Sequence, residues 1–260
     1  GFTPEELTAL VVELGQPAFR GKQLAEWVYA KRAAEWDAMS NLPKPFRESL
    51  AGSVALRSMS IARVAGSADT TRKFLLKLRD GRFIETVLIP ASPALYGESS
   101  DRRTLCVSSQ VGCAYDCKFC ASGLAGFARN LSAAEIVEQL VQVEAHSGQR
   151  VDNIVFMGMG EPLANFSNLV RAIEILNAAW GIGLGARRMT VSTSGLAPQI
   201  KKLADIPLQI RLAISLHGAS DAVRDQIMPV NRWRNCSTRW PTGSSCTSSA
   251  SPSNTASSRM

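Results

Sequence analysis

Four cysteines crowd into fifteen residues of this chain, Cys106, Cys113, Cys117 and Cys120, while Cys236 and Cys246 lie near its end. The spacing Cys113-x3-Cys117-x2-Cys120 puts three thiols on one tight loop. Three thiolates hold three irons of a cubane iron–sulfur cluster and leave the fourth iron open to an outside ligand, where chemistry can begin. Structural zinc wants four closed ligands, and Cys106 is an available fourth thiol, so a zinc-stabilised module is the competing expectation. A simple ferredoxin would supply four cysteines to each cluster. Phe119 sits inside the loop, where its ring can shield a cluster. Gly1 to Leu14 lacks the segments of a secretory signal, which favours a metal or redox role for these thiols over a disulfide framework.

Such a loop needs a frame, and the patterning around it predicts one. Thr3-Pro4-Glu5-Glu6 opens a helix with a capping box, and Leu7, Leu10, Val11 and Leu14 follow at helical spacing. A second helix is expected from about Gly21 to Ala33, with one or two short ones between Met39 and Leu56. Over residues 72–90 the period changes to two around Asp80-Gly81, which predicts a β-hairpin, followed by a loop from Ala91 to Asp101. From Thr104 onward strands and helices alternate. Strands are expected at Thr104–Ser109, Asn153–Met157, Met189–Thr193 and Ile210–Ser215. Helices are expected from Ser132 to His146, then at Leu169–Trp180, Pro198–Ala204 and Asp221–Met228. Four βα units in series argue for an α/β fold, a partial parallel barrel with its site at the C-terminal ends of the strands. The expected divisions are a small helical domain over 1–65, the hairpin and linker over 66–98, the partial barrel over 99–232 and a tail over 233–260.

Composition agrees with a folded chain: of 260 residues, 45% are hydrophobic and 20% charged, and no apolar run is long enough to cross a membrane. The net charge of +7 permits nucleic-acid binding without requiring it, and Arg234, Arg239 and Arg259 of the tail carry three of those charges. The tail lacks Leu, Ile, Val, Asp, Glu and Lys, so it cannot bury a core. It reads as disorder or as translation in a shifted frame.

The segment Cys113-Ala-Tyr-Asp-Cys-Lys-Phe-Cys120 resembles the radical S-adenosylmethionine (SAM) signature. Leu105-Cys-Val-Ser-Ser-Gln-Val-Gly-Cys113, Met157-Gly-Met-Gly-Glu-Pro162, Thr190-Val-Ser-Thr-Ser-Gly195 and Ala213-Ile-Ser-Leu-His-Gly218 narrow the resemblance to the RlmN family of RNA methyltransferases. Phe19-Arg-Gly-Lys-Gln-Leu-Ala-Glu-Trp-Val-Tyr29 resembles that family's N-terminal accessory domain. The likeness spans roughly residues 1–232.

The resemblance implies a [4Fe-4S] cluster on Cys113, Cys117 and Cys120 and SAM as the second cofactor. It implies SAM contacts at Gly160 and Glu161, where a carboxylate faces the ammonium, and at Ser192, Ser215, Leu216 and His217. Gly158 and Gly160 also suit a tight strand-end turn. Glu85 matches the family's proton acceptor. Cys106 matches a thiol that works with a second, C-terminal cysteine, which carries the methyl group to C2 of an adenine in 23S ribosomal RNA or transfer RNA. The implied partners are those RNAs and an electron donor, with no membrane, in a cytoplasmic monomer. Methylation at adenine C8 by a related enzyme is the nearest alternative. Arg72, Lys73, Lys77, Arg79, Arg82, Arg102, Arg103, Arg187 and Arg188 are basic residues suited to phosphate, with no individual contact assigned. Beyond Asn231-Arg232 the family pattern stops, and neither Cys236 nor Cys246 has a context that fits the relay. The expectation is therefore a chain that binds a cluster and SAM but does not methylate RNA.

Overall fold

The computed structural model describes residues 1–67, 70–91, 101–115, 117–124 and 126–228. The expected loop over 91–101 for the most part, and the expected tail with Cys236 and Cys246, lie outside the described residues.

Helix α1 (Pro4–Glu13) begins where its capping box predicts. The Glu6 N–H donates to Thr3 Oγ1, and the Thr3 N–H donates back to the Glu6 carboxylate at 2.8 Å, which satisfies two end donors at once. Helix α2 (Phe19–Ala25) starts two residues before the expected position and runs into a single π turn over Glu26–Ala30. A 3-10 turn over Trp36–Ala38 and helix α3 (Lys44–Ser53) complete the helical opening.

Seven strands then form one sheet in the order β1-β2-β3-β4-β7-β8-β9. Strands β1 (Met59–Ala65), β2 (Arg72–Leu78), β3 (Phe83–Pro90) and β4 (Arg103–Cys106) pair antiparallel in sequence. From β4 the pairing turns parallel through β7 (Asn153–Phe156), β8 (Met189–Thr193) and β9 (Arg211–Ile214). Between β4 and β7 a two-stranded ribbon, β5 (Gln110–Gly112) and β6 (Phe127–Asn130), flanks the cysteine loop and the short helix α4 (Ala121–Leu124). Helices α5 (Ala133–Ser147), α6 (Phe166–Asn177), α7 (Ala197–Ala204) and α8 (Asp221–Ile227) follow the parallel strands in turn. The four expected βα units are all present. The hairpin shares the barrel strands' sheet through the β3–β4 ladder, and the segment expected to be helical, 1–65, ends in strand β1. Its register shifts between Ile61 and Arg63, and that shift breaks the alternation that would have announced a strand.

The two faces of this sheet differ. Phe74, Leu76, Ile84, Leu88, Leu105, Ile154, Phe156, Met189 and Val191 point to one side and are buried against Ile136 and Leu140 of α5 and Leu169 and Ile173 of α6. Each such side chain contributes roughly 1.5–3 kcal/mol on leaving water. Strand residues alternate between faces, so Glu85, Val87, Cys106, Val155, Thr190 and Ser192 share the other side, where all are half-buried. No helix among the described residues is long and apolar enough to cross a membrane.

Candidate active site

The half-buried face brings the two expected catalytic residues onto neighbouring strands. Cys106 of β4 is paired with Val87 of β3, two residues beyond Glu85 on the same side, so the carboxylate and the thiol are diagonal neighbours. The Glu85 carboxylate takes an ion pair from Lys73 Nζ at 2.8 Å, across the β2–β3 ladder. The Ser108 hydroxyl donates to the Glu85 carbonyl at 2.5 Å, and the Thr86 hydroxyl donates to the Cys106 carbonyl at 2.7 Å. These bonds lock the strand that carries the acid to the strand that carries the thiol. Burial pushes the Cys106 thiol up, and an N–H bond from Met157 only partly opposes this, so the group is held protonated at neutral pH.

Four loops leave the C-terminal ends of the parallel strands, and every other expected site residue stands on one of them except Ser192, which lies near the end of β8 itself. The cysteine loop follows β4. The Cys113 N–H donates to the Gly126 carbonyl at 3.2 Å, which closes the neck of the loop, and the Cys120 N–H donates to the Cys117 carbonyl at 2.9 Å. All three thiols are outside any disulfide and partly exposed. Burial raises the Cys113 thiol; the Tyr115 N–H pulls it down, and repulsion from Cys120 and Glu161 pushes it further up. Among the described residues no three His, Cys, Asp or Glu side chains are gathered closely enough to hold a metal ion. The donor set nonetheless suits an iron–sulfur cluster: three soft thiols lie on one loop, and Cys106 stands apart inside the strand ladder. The zinc alternative would have to enlist as fourth ligand Cys106, which lies in the strand ladder and not on the loop.

The loop after β7 carries Gly158, Gly160 and Glu161. Side chains fit at neither glycine: a Cβ at Gly158 would lie 2.8 Å from the Ser108 nitrogen, and one at Gly160, where φ is +98°, would lie 2.5 Å from the Gln110 Cβ. The Glu161 side chain is 5% exposed. It accepts from the Ser194 N–H at 2.8 Å and the Leu163 N–H at 3.1 Å, and so ties its own loop to the one after β8. Burial raises its pKa against these hydrogen bonds, and no cation stands within ion-pair distance among the described residues. A buried carboxylate without a countercharge suits a cationic ligand group.

At the next two strand ends the Ser192 and Ser215 hydroxyls lie 3.2 Å apart. Leu216 is partly exposed, and His217 takes a left-handed φ of +50° that points its ring at Phe119, 4.4 Å between centroids. Arg224 of α8, fully buried, donates to the carbonyls of Ser194, Ser215 and Leu216. The Lys118 N–H donates to the Ile227 carbonyl, which seats the cysteine loop on the end of α8. Thus the thiol loop, Glu161, Ser192, Ser215 and His217 converge at one end of the sheet, with Glu85 and Cys106 on the adjoining open face.

Sequence reasoning missed the buried polar residues that hold these loops. Gln139 of α5 grips both backbone groups of Ser108 at 2.8 and 2.9 Å, and Asn165 donates to the carbonyls of Ser109 and Leu131. The signal for Gln139 is a polar residue at a helix position where periodicity asks for an apolar one; Asn165, in the turn before α6, carries no such signal.

The chain matches the Radical SAM superfamily model over residues 107–235 and the Ribosomal RNA large subunit methyltransferase N-terminal domain over residues 1–56. It is 55% identical over 92% of its length to a probable dual-specificity RNA methyltransferase RlmN of Akkermansia muciniphila, and 45% identical over 85% of its length to a dual-specificity RNA methyltransferase RlmN of Campylobacter fetus. The chain spans 65% of the length of each of these two relatives. A crystal structure of a radical SAM methyltransferase from Sphaerobacter thermophilus superposes with a TM-score of 0.81 at 42% identity, over 88% of this chain and 66% of that one. Motifs, sheet topology and both domain matches agree, and the chain belongs to the RlmN family of radical SAM methyltransferases.

Proposed function

We propose that this chain carries the cofactor-binding part of a methyltransferase acting on C2 of adenine in 23S ribosomal RNA and transfer RNA. Cys113, Cys117 and Cys120 would hold a [4Fe-4S] cluster. Gly160, Glu161, Ser192, Ser215, Leu216 and His217 would hold SAM. The observation that carries this reading is the shared face of Glu85 and Cys106, which opens beside the thiol loop. The bound cofactors supply a one-electron route to a carbon centre, which adenine C2 requires because it is electron-poor and closed to polar methyl transfer.

The chain's own residues supply position and proton handling. Glu161 offers a dry negative charge to the ammonium of SAM. Glu85 accepts the proton leaving adenine C2, with Lys73 orienting its carboxylate. Burial holds Cys106 as a thiol until the last step; its sulfur would then bond to the sulfur of the methyl-carrying cysteine, forming a disulfide as the carbon–sulfur bond to the adenine substituent breaks and that carbon takes up a proton. That second cysteine is not among the described residues, and neither Cys236 nor Cys246 is assigned to it. The reading places the protein in the cytoplasm as a monomer served by a separate electron donor.

Anaerobic reconstitution of the 260-residue chain with iron and sulfide tests the reading. The expected product is brown, holds about four irons per chain and loses them in Cys113→Ala, Cys117→Ala or Cys120→Ala. Bound zinc with no iron overturns the reading in favour of a zinc-stabilised module. Mass spectrometric mapping of any methylated RNA adenine separates C2 from C8, and turnover by this chain alone overturns the expectation that it lacks the relay.

A further inference from the structure

Gln110, the first residue of β5, is 1% exposed, and no expected role was attached to it. Its side-chain oxygen accepts from the Glu161 N–H at 3.0 Å and from the Ala114 N–H at 3.4 Å. Its side-chain nitrogen donates to Asn130 Oδ1 at 2.8 Å, across the β5–β6 ladder. One primary amide therefore touches the entry of the thiol loop, the exit flank of that loop and the glycine-rich loop fifty-one residues away. The contact is close on the aliphatic side too, since the Gln110 Cβ and Cγ occupy the space that any side chain at Gly160 would need. An amide oxygen has two lone pairs, and here each serves a different loop.

We propose that Gln110 is a positioning residue that sets the separation between the thiol loop and the Glu161 loop, and thereby how SAM sits against the cluster. This rests on the proposed function, in which one loop holds the cluster and the other meets the methionyl end of SAM. A ligand gripped from both sides is sensitive to that spacing, because a displacement of about one ångström between reacting groups costs on the order of a hundredfold in rate. Gln110 touches neither cofactor in this scheme and acts through the two backbone amides it fixes.

The test compares the reconstituted full chain with Gln110→Met, which keeps the length and removes the acceptor, and with Gln110→Glu, which restores an acceptor that Asn130 can meet by turning its amide. Gln110→Met is expected to keep its iron and to lose only a few degrees of melting temperature, since two backbone N–H groups lose their acceptor. It should bind SAM at least tenfold more weakly and lose the SAM-induced change in the electron paramagnetic resonance of the reduced cluster. Gln110→Glu should recover both. A purely structural role would lower melting temperature and iron content together and leave the spectroscopic response of the surviving holoprotein intact. Wild-type SAM affinity and an unaltered spectral change in Gln110→Met overturn the proposal. If that variant does not load iron, Asn130→Ala decides on the same two readouts: weaker SAM binding supports the proposal, and wild-type values overturn it. Failure of the proposed function would look different, since the wild-type chain itself would then show no cluster or no response to SAM.

Discussion

Glu161 holds its carboxylate in surroundings that disfavour the charge. Burial raises its pKa, and the hydrogen bonds from Ser194, Thr193 and Leu163 recover only part of the loss. A carboxyl whose folded pKa stands above its ordinary 4.5 favours the fold most while it is protonated, and that contribution fades as pH rises through the folded value. Glu161→Gln removes the titration and leaves the shape. The melting temperature of the wild type minus that of the variant should therefore fall as pH is taken from about 4 to about 7. A difference that stays flat across that range would show that the carboxylate is not held as a costly buried charge. The same substitution should weaken SAM binding, because a neutral amide offers an ammonium a hydrogen bond without the opposing charge.

At the scale of elements, one arginine joins three of them. Arg129 of β6 donates its Nε to Asp80 at the turn of the β2–β3 hairpin, 2.7 Å away, and both terminal nitrogens to Glu135 in the first turn of α5, at 2.9 and 2.8 Å. The exit flank of the thiol loop is thus tied to the hairpin that carries Glu85. Burial alone would raise the Glu135 carboxyl, yet the Arg129 bonds bring it below its ordinary value, and the Arg129 and Arg82 contacts hold Asp80 down at about 2. Carboxyls with depressed pKa values give stability above their unfolded values and lose it as pH falls through the folded ones. Arg129→Met should accordingly cost about 1 kcal/mol at pH 7 through the partly screened Glu135 pair, and the gap in urea midpoint should close as pH drops from about 4 towards 2. An undiminished gap at low pH would mean the side chain acts by packing alone. The elements themselves were mostly legible. Capping boxes announced α1 and α5 because Thr3-x2-Glu6 and Ser132-x2-Glu135 are local devices, and period-two runs announced β2 and β3. Strand β1 escaped because its bulge breaks the period, and β5 and β6 escaped because three or four residues carry no period at all. The site divides likewise: Cys113, Cys117 and Cys120 are legible from their spacing, whereas Gln110, Gln139 and Arg224 are polar residues buried by partners distant in sequence.

Across the whole molecule the helical opening and the sheet share one core. Leu24 of α2 and Leu50 of α3 belong to the same continuous buried cluster as Phe74, Leu140 and Phe156, and the Tyr29 ring meets Trp180 edge-on at 5.7 Å between centroids. The Tyr29 hydroxyl, almost buried, donates to the Phe2 carbonyl at 2.7 Å, and burial pushes its pKa up to about 12. The N-terminal helices are therefore not a separately folding appendage. They close one flank of the hydrophobic interior whose other flank carries the site residues. Leu24→Ala, a truncation in a helix remote from every candidate site residue, should cost about 2–5 kcal/mol. It should move the urea midpoint of the entire chain, with far-ultraviolet circular dichroism and tryptophan fluorescence shifting together, because Trp27 and Trp36 report the helical opening and Trp180 the barrel side of the same core. Two resolved transitions, with the barrel signal unmoved, would show two cores where the packing has one. Coincident transitions shifted to lower urea would mean that the sheet bearing the thiol loop unfolds as one unit with the helical opening.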